Sequence, residues 1–270
     1  GLLSGQGIKA ELIGDDSLSA RPMARIILPL SEMGAEILSN DSKLPLLISS
    51  RPLNGIDYIL PIASAQVKSS IILAALGAKG LTKIIEPLKT RDHSEIMLQH
   101  LGAEIYINKN QIIINPLNRL LTSFELTVPG DPSSAAFFAA AAAMIPNSDL
   151  TVKNISANPT RIGFFNALEQ MGGGVIWKNL HKECGELVGD VQVNYQPLHG
   201  ISISENQIPS LIDELPIIAV LASTAEGPTI IKGAEELRVK ETDRINAICT
   251  NLLSMGIDVV EKKDGFVIDA

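Results

Sequence analysis

The sequence predicts an α/β protein built from a repeated β-α-β-α-β-β unit, and three observations carry that expectation. A glycine placed between a helix and a strand recurs four times. An arginine stands 11 to 13 residues before each of these glycines. Between them, short strands and apolar helices alternate in a constant order.

The recurring glycine appears as Met33-Gly34-Ala35-Glu36-Ile37, Leu101-Gly102-Ala103-Glu104-Ile105, Met171-Gly172-Gly173-Gly174-Val175 and Met255-Gly256-Ile257-Asp258-Val259. Glycine suits such places because the residue that closes a helix adopts a left-handed backbone. The upstream segments are of helix length and open near Arg21, Arg91, Arg161 and Arg244. Three units carry a further upstream half. Its first strand is expected at residues 57–61, 124–128 and 200–204, and its helix at 65–76, 134–144 and 215–225. The strand after that helix is expected at 82–85, 150–152 and 229–231. Helices so rich in alanine and aliphatic side chains should be buried on most sides and form the interior. Residues 179–198 show weak periodicity and are expected to be an irregular excursion. A domain break is placed between 127 and 128, giving regions 1–127 and 128–270. Val128-Pro129-Gly130-Asp131-Pro132 reads equally well as an ordinary strand-to-helix turn.

The chain of 270 residues is long enough for one large or two ordinary cores, and at 46% apolar and 19% charged it reads as soluble and globular. A net charge of −8 argues against nucleic acid as a bulk partner, since neutralising phosphates needs surplus Lys and Arg. Small anionic substrates need only local positive charge. Cys184 and Cys249 lie far apart, with no metal-ligand spacing, so reduced thiols are expected rather than a zinc site or a disulfide framework. The most apolar run, 135–145, is too short to cross a bilayer. Gly1 opens in mid-pattern and Ala270 follows directly on a strand-like run, so both ends read as cut.

Strand-to-helix junctions are where backbone N–H groups and the helix dipole favour anions, so polar residues there carry most weight. Ser64-Ala65-Gln66-Val67-Lys68 opens one helix. Capping alone accounts for Ser64, whereas binding an anionic or hydroxylated ligand would use Ser64 and Gln66 together. Lys68 in the first turn opposes the dipole, which hints at a reason for its presence. Lys89-Thr90-Arg91-Asp92-His93-Ser94-Glu95 opens another, with Thr90 or Asp92 as cap and Arg91 able to clamp phosphate or carboxylate. Ser19-Ala20-Arg21-Pro22-Met23 places an arginine just before a third helix. The run from Glu235 to Arg244 is mostly polar; a solvated helix start is the bland reading, although Lys240 and Arg244 form a like-charged i,i+4 pair. Asp213 and Glu214 add carboxylates at another junction of the same unit, and an acidic pair from two junctions is what proton transfer needs.

Leu237-Arg238-Val239-Lys240-Glu241-Thr242-Asp243-Arg244 resembles the R-V-K-E-[ST]-D-R signature of 5-enolpyruvylshikimate-3-phosphate synthases. Ser64-Ala65-Gln66-Val67-Lys68, Arg91-Asp92-His93-Ser94-Glu95 and Asn158-Pro159-Thr160-Arg161 are similar to the class associated with glyphosate tolerance. Gly14-Asp15-Asp16-Ser17-Leu18-Ser19 before Arg21-Pro22-Met23, and Ile212-Asp213-Glu214 before Leu215-Pro216, fit in order. The resemblance implies a two-domain, inside-out α/β barrel with three β-α-β-α-β-β units per domain, of which about four of six fall in this chain. It implies a cytoplasmic, monomeric enzyme of the shikimate pathway to aromatic amino acids, which closes its domains around substrate.

The implied reaction moves the enolpyruvyl group of phosphoenolpyruvate (PEP) to shikimate 3-phosphate by addition and then loss of phosphate. No metal or organic cofactor is implied. Ser64, Ala65, Gln66, Arg91, Asp213 and Lys240 would hold shikimate 3-phosphate, Ala65 through its backbone where another class has serine. Arg21, Gln66 and Arg244 would hold PEP. Asp213 would accept the proton of the attacking hydroxyl, and Glu241 would move a proton at the PEP methylene. The family's early lysine-serine and Asn-x-Gly-Thr segments, its later His-Arg pair and its final lysine are absent, so little turnover is expected of this chain alone. The alternatives are the enolpyruvyl transferase acting on UDP-N-acetylglucosamine, for which neither cysteine stands in a matching loop, and a non-catalytic module binding a phosphorylated ligand.

Overall fold

A computed structural model describes residues 1–239 and 242–269. The chain divides into two compact units, Gly1–Glu125 and Leu126–Ala270.

The first unit runs α1 (Leu2–Gly5), β1 (Ala10–Leu12), α2 (Asp16–Ser19), α3 (Ala24–Glu32), β2 (Ile37–Asn40) and β3 (Lys43–Ile48). It continues with β4 (Asp57–Ile59), α4 (Ala65–Ala75), β5 (Thr82–Ile85), α5 (His93–His100), β6 (Ile105–Asn108) and β7 (Gln111–Ile114). One sheet has the order β1-β3-β2, the other β4-β5-β7-β6. Strands β4 and β5 are parallel, which demands a crossover, and α4 supplies it. This helix is the hub of the unit: it packs against α1, α3 and α5. It buries Val67, Ile71, Ile72, Ala74 and Ala75 in one core with Ile84, Ile112 and Ile114 of the sheet.

The second unit runs α6 (Pro132–Met144), β8 (Asp149–Ser156), α7 (Gly163–Gln170), β9 (Gly174–Glu183), β10 (Glu186–Asn194) and β11 (Ser202–Ile203). There follow α8 (Leu215–Ala222), β12 (Thr229–Ile231), α9 (Arg244–Ser254), β13 (Asp258–Lys262) and β14 (Gly265–Asp269). Its sheets have the orders β8-β10-β9 and β11-β12-β14-β13. The second repeats the β4-β5-β7-β6 plan element for element, with α8 as the crossover between parallel β11 and β12. Helix α8 is the hub here, packed on α6, α7 and α9. Asp131 caps α6, accepting from the N–H groups of Ser133 at 3.3 Å and Ser134 at 3.0 Å.

The glycine and arginine spacing read from the sequence falls at the helix ends and starts. Gly34, Gly102, Gly172 and Gly256 all have positive φ, at 99°, 92°, 91° and 84°. Arg91 and Arg161 stand two residues before α5 and α7, Arg21 three before α3, and Arg244 is the first residue of α9.

Three local expectations are corrected and a fourth is narrowed. Residues 124–128 form no strand: Pro129 has no N–H for a ladder, and the Thr127 N–H donates to the Glu183 carboxylate at 2.9 Å. Only Gly130 pairs, in an isolated bridge to Ile155. Residues 179–194 are not irregular but belong to the long β9–β10 hairpin. Its turn is Cys184-Gly185, both at positive φ, 48° and 84°, which matches the twist of the flanking strands. Helix α8 ends at Ala222 rather than 225, because the Ser223 and Thr224 hydroxyls donate back to the carbonyls of Val220 and Leu221. Helix α6 buries six of its seven alanines but leaves Ser134, Phe137 and Phe138 exposed, so one face of it is open.

Candidate active site

In the first unit the candidate residues stand at three helix starts. Ser64 has extended backbone and caps α4, accepting from the Val67 N–H at 3.4 Å. Ala65 and Gln66 are the first helical residues, and Gln66 is exposed. This junction therefore offers first-turn N–H groups together with a hydroxyl and an amide. Arg91 is half-buried in the loop leading to α5. Neither neighbour caps that helix through its side chain as expected. Asp92 holds the cap position without such a bond, and its carboxylate meets Lys89 at 3.0 Å. Thr90 is buried and gives its hydroxyl to Glu86 at 2.8 Å. Arg21 is exposed between α2, which Asp15 caps, and α3.

Beneath these junctions lies a cluster the sequence did not announce. Lys68 is fully buried, with Nζ 3.1 Å from Glu86 and 2.7 Å from Glu95, both also buried. Burial pushes the Glu95 carboxyl above the usual range, and the Lys68 charge opposes that shift without cancelling it. The charge that seemed misplaced at the head of α4 thus answers carboxylates rather than the dipole.

In the second unit, the structure brings Asp213 and Arg244 together, with Nη1 3.5 Å from Oδ1. Asp213 is exposed in the turn leading to α8, and Glu214 beside it is buried. Asp243 caps α9, accepting from the Asn246 N–H at 3.0 Å. That hydrogen bond, with Arg238 adding to it against a smaller desolvation, holds the Asp243 carboxyl below the usual range. Arg238 was seen only as part of a motif, yet it organises the segment. Its guanidinium binds Asp243 at 2.8 Å, Glu261 at 2.9 Å and the carbonyl of Lys263 at 2.7 Å. It thereby staples the turn Glu235–Val239 and the start of α9 to the β13–β14 hairpin. Lys240 and Glu241, expected to touch substrate and to move a proton, lie outside the described residues.

Among the described residues no group of His, Cys, Asp and Glu could hold a metal ion, and no helix is long and apolar enough to cross a membrane.

The sequence matches the family described as EPSP synthase (3-phosphoshikimate 1-carboxyvinyltransferase) over residues 1–270. It is 49% identical to the 3-phosphoshikimate 1-carboxyvinyltransferase of Persephonella marina, covering 99% of this chain and 63% of that protein. It is 48% identical to the protein of that name from Lactiplantibacillus plantarum, covering 100% of this chain and 62% of that one. The chain thus spans under two thirds of the length of these curated relatives. The solved EPSP synthase of Acinetobacter baumannii superposes with a TM-score of 0.88 at 41% identity, over 100% of this chain and 62% of that one. The enolpyruvyl transferase NikO of Streptomyces tendae shares the fold, with a TM-score of 0.73 at 16% identity over 100% of this chain and 61% of that one. With its mixed α/β units in the enolpyruvyl transferase fold and a family match from the first residue to the last, the chain belongs to the EPSP synthase family.

Proposed function

We propose that this chain supplies binding and acid–base groups for transfer of the enolpyruvyl group from PEP to shikimate 3-phosphate. The observation that carries the reading is a cationic or hydrogen-bonding side chain at four helix starts: Arg21 before α3, Ser64 and Gln66 at α4, Arg91 before α5, Arg244 opening α9. A cation there opposes the helix dipole, and an anionic ligand reverses the sign of that interaction. In this reading Ser64 and Arg91 hold the phosphate of shikimate 3-phosphate, Ala65 donates its backbone N–H, and Gln66 reaches both substrates. Arg21 and Arg244 neutralise PEP, and Lys240 touches shikimate 3-phosphate.

The chemistry assigned to the carboxylates balances in two steps. Asp213 takes the proton of the attacking shikimate hydroxyl as its oxygen bonds to C2 of PEP, while Glu241 delivers a proton to the methylene. Breaking the bond between C2 and the phosphate oxygen then releases phosphate, and Glu241, now a carboxylate, takes back a proton from the new methyl to restore the double bond. Asp213 and Arg244 stand 3.5 Å apart, so the proposed base and a proposed PEP-binding cation are neighbours.

Isothermal calorimetry of the 270-residue chain tests the substrate half. Shikimate 3-phosphate should bind and UDP-N-acetylglucosamine should not; saturable binding of the UDP-sugar alone would overturn the assignment. Thiol labelling separates the same readings. Cys249 is 2% exposed, and burial, with Glu261 adding to it, pushes its thiol up to about 11. At pH 8 a small maleimide should label Cys184 at the hairpin turn and spare Cys249 until the chain unfolds. Fast, substrate-blocked alkylation of either cysteine would favour a cysteine-bearing transferase instead.

A further inference from the structure

The Lys68 cluster is larger than capping or helix packing requires. Lys68 sits on α4, and its own N–H donates to the carbonyl of Ser64 at 3.1 Å. Its ammonium reaches across to Glu86, Glu95 and, at 3.5 Å, the carbonyl of Thr90. Glu86 in turn accepts from the Thr90 N–H at 3.2 Å and the Thr90 hydroxyl at 2.8 Å. Thr90 is therefore gripped at its N–H, hydroxyl and carbonyl by one buried ion cluster, and the next residue is Arg91. A second tie lies alongside: the hydroxyls of Ser69 on α4 and Ser94 on α5 are 2.7 Å apart.

Stability alone does not account for such a cluster. Taking one ammonium and two carboxylates out of water is costly, and well-packed apolar side chains of similar volume are often as stable or more so. A buried ionic cluster can instead fix one arrangement among several, because each direction of its hydrogen bonds excludes alternatives. The segment it grips, residues 86–92, has no helix or strand of its own to hold it.

We infer that Lys68, with Glu86 and Glu95, is a positioning device that sets the Ser64–Gln66 junction and Arg91 at a fixed separation suited to a phosphorylated hydroxy acid. Lys68 touches no ligand in this arrangement; it acts through Thr90 and the head of α4. The ligand rests on the shikimate 3-phosphate reading above, whereas the tether itself does not.

The test compares the 270-residue chain with Lys68→Met, Lys68→Arg and Thr90→Val. Thr90→Val is nearly isosteric, cuts only the hydroxyl tie, and decides the matter should Lys68→Met fail to fold. Calorimetry gives affinities for shikimate 3-phosphate and for shikimate. Amide exchange gives protection at residues 62–69 and 88–95 without any ligand. Lys68→Met should lower the preference for the phosphorylated ligand about tenfold and Thr90→Val about threefold, with Lys68→Arg recovering part. Exchange should quicken at both segments together, with α6 in the second unit unchanged. A purely structural role would reduce the folded fraction and leave the preference ratio as it was, and that outcome overturns the inference. Failure of the unaltered chain to bind shikimate 3-phosphate sinks the substrate reading. Exchange then rules on the tether: joint loosening of the two segments sustains it, and unchanged protection in a folded variant ends it.

Discussion

Replacing Lys68 by methionine should destabilise the Gly1–Glu125 unit by about 3–5 kcal/mol, the range for removing one partner of a buried ion pair. The variant leaves Glu86 and Glu95 buried with no cation between them. The folded state then lowers its cost by protonation, so the folded pKa of Glu95, already raised by burial, moves further above the unfolded one. Such a group exacts no penalty below the unfolded value, 4.5 for glutamate, and a growing penalty as pH rises through the folded value. The gap between the variant and the original chain should therefore be wide at pH 8 and shrink toward pH 5. Adding Glu86→Gln and Glu95→Gln removes the stranded charges and should restore a large part of the loss. Urea unfolding followed by amide exchange resolves the first unit. Trp177, the single tryptophan, reports the second unit and should not respond. A variant whose deficit does not depend on pH would mean that lost packing, not stranded charge, causes it.

Lys68 also shows where sequence reading stops. Its charge at the head of α4 stood out as an anomaly, but its partners lie 18 and 27 residues further on, and no periodicity connects them. Arg238 is a similar case: its ligands on β13 and in the β13–β14 turn come into view only when the hairpin folds back. Features set by local backbone chemistry were legible instead. The Ser64 cap, the closing glycines and the Arg-to-Gly rhythm each depend on residues close in sequence, so the repeat and its helix starts follow from the sequence alone. The β9–β10 hairpin was missed because its turn is Cys-Gly rather than Asn-Gly or Asp-Gly. Its strands also shift register between Val188 and Asp190, opposite Asn179 at positive φ, which breaks the alternation a strand should show. Among the candidate site residues, the helix-start arginines were found by their place in the repeat, and Asp213 by its junction. The contact between Asp213 and Arg244 spans 31 residues and needed the fold.

Arg91 carries the second large effect. Replacing it by alanine should weaken shikimate 3-phosphate about 10- to 150-fold, equivalent to about 1.5–3 kcal/mol for hydrogen bonds to a charged group. Shikimate, which lacks the phosphate, should lose far less, so the two ligands bound to one variant isolate the contact. Arg91→Lys should fall between, because an ammonium keeps the charge but cannot offer two parallel N–H bonds to one phosphate. Salt sharpens the distinction: the preference of the original chain for the phosphorylated ligand should narrow as ionic strength rises, and that of Arg91→Ala should narrow less. Equal losses for the two ligands would place Arg91 on the ring hydroxyls or the carboxylate. The phosphate would then belong to the α4 junction alone, where Ser64 and the first-turn N–H groups would have to hold it without a guanidinium.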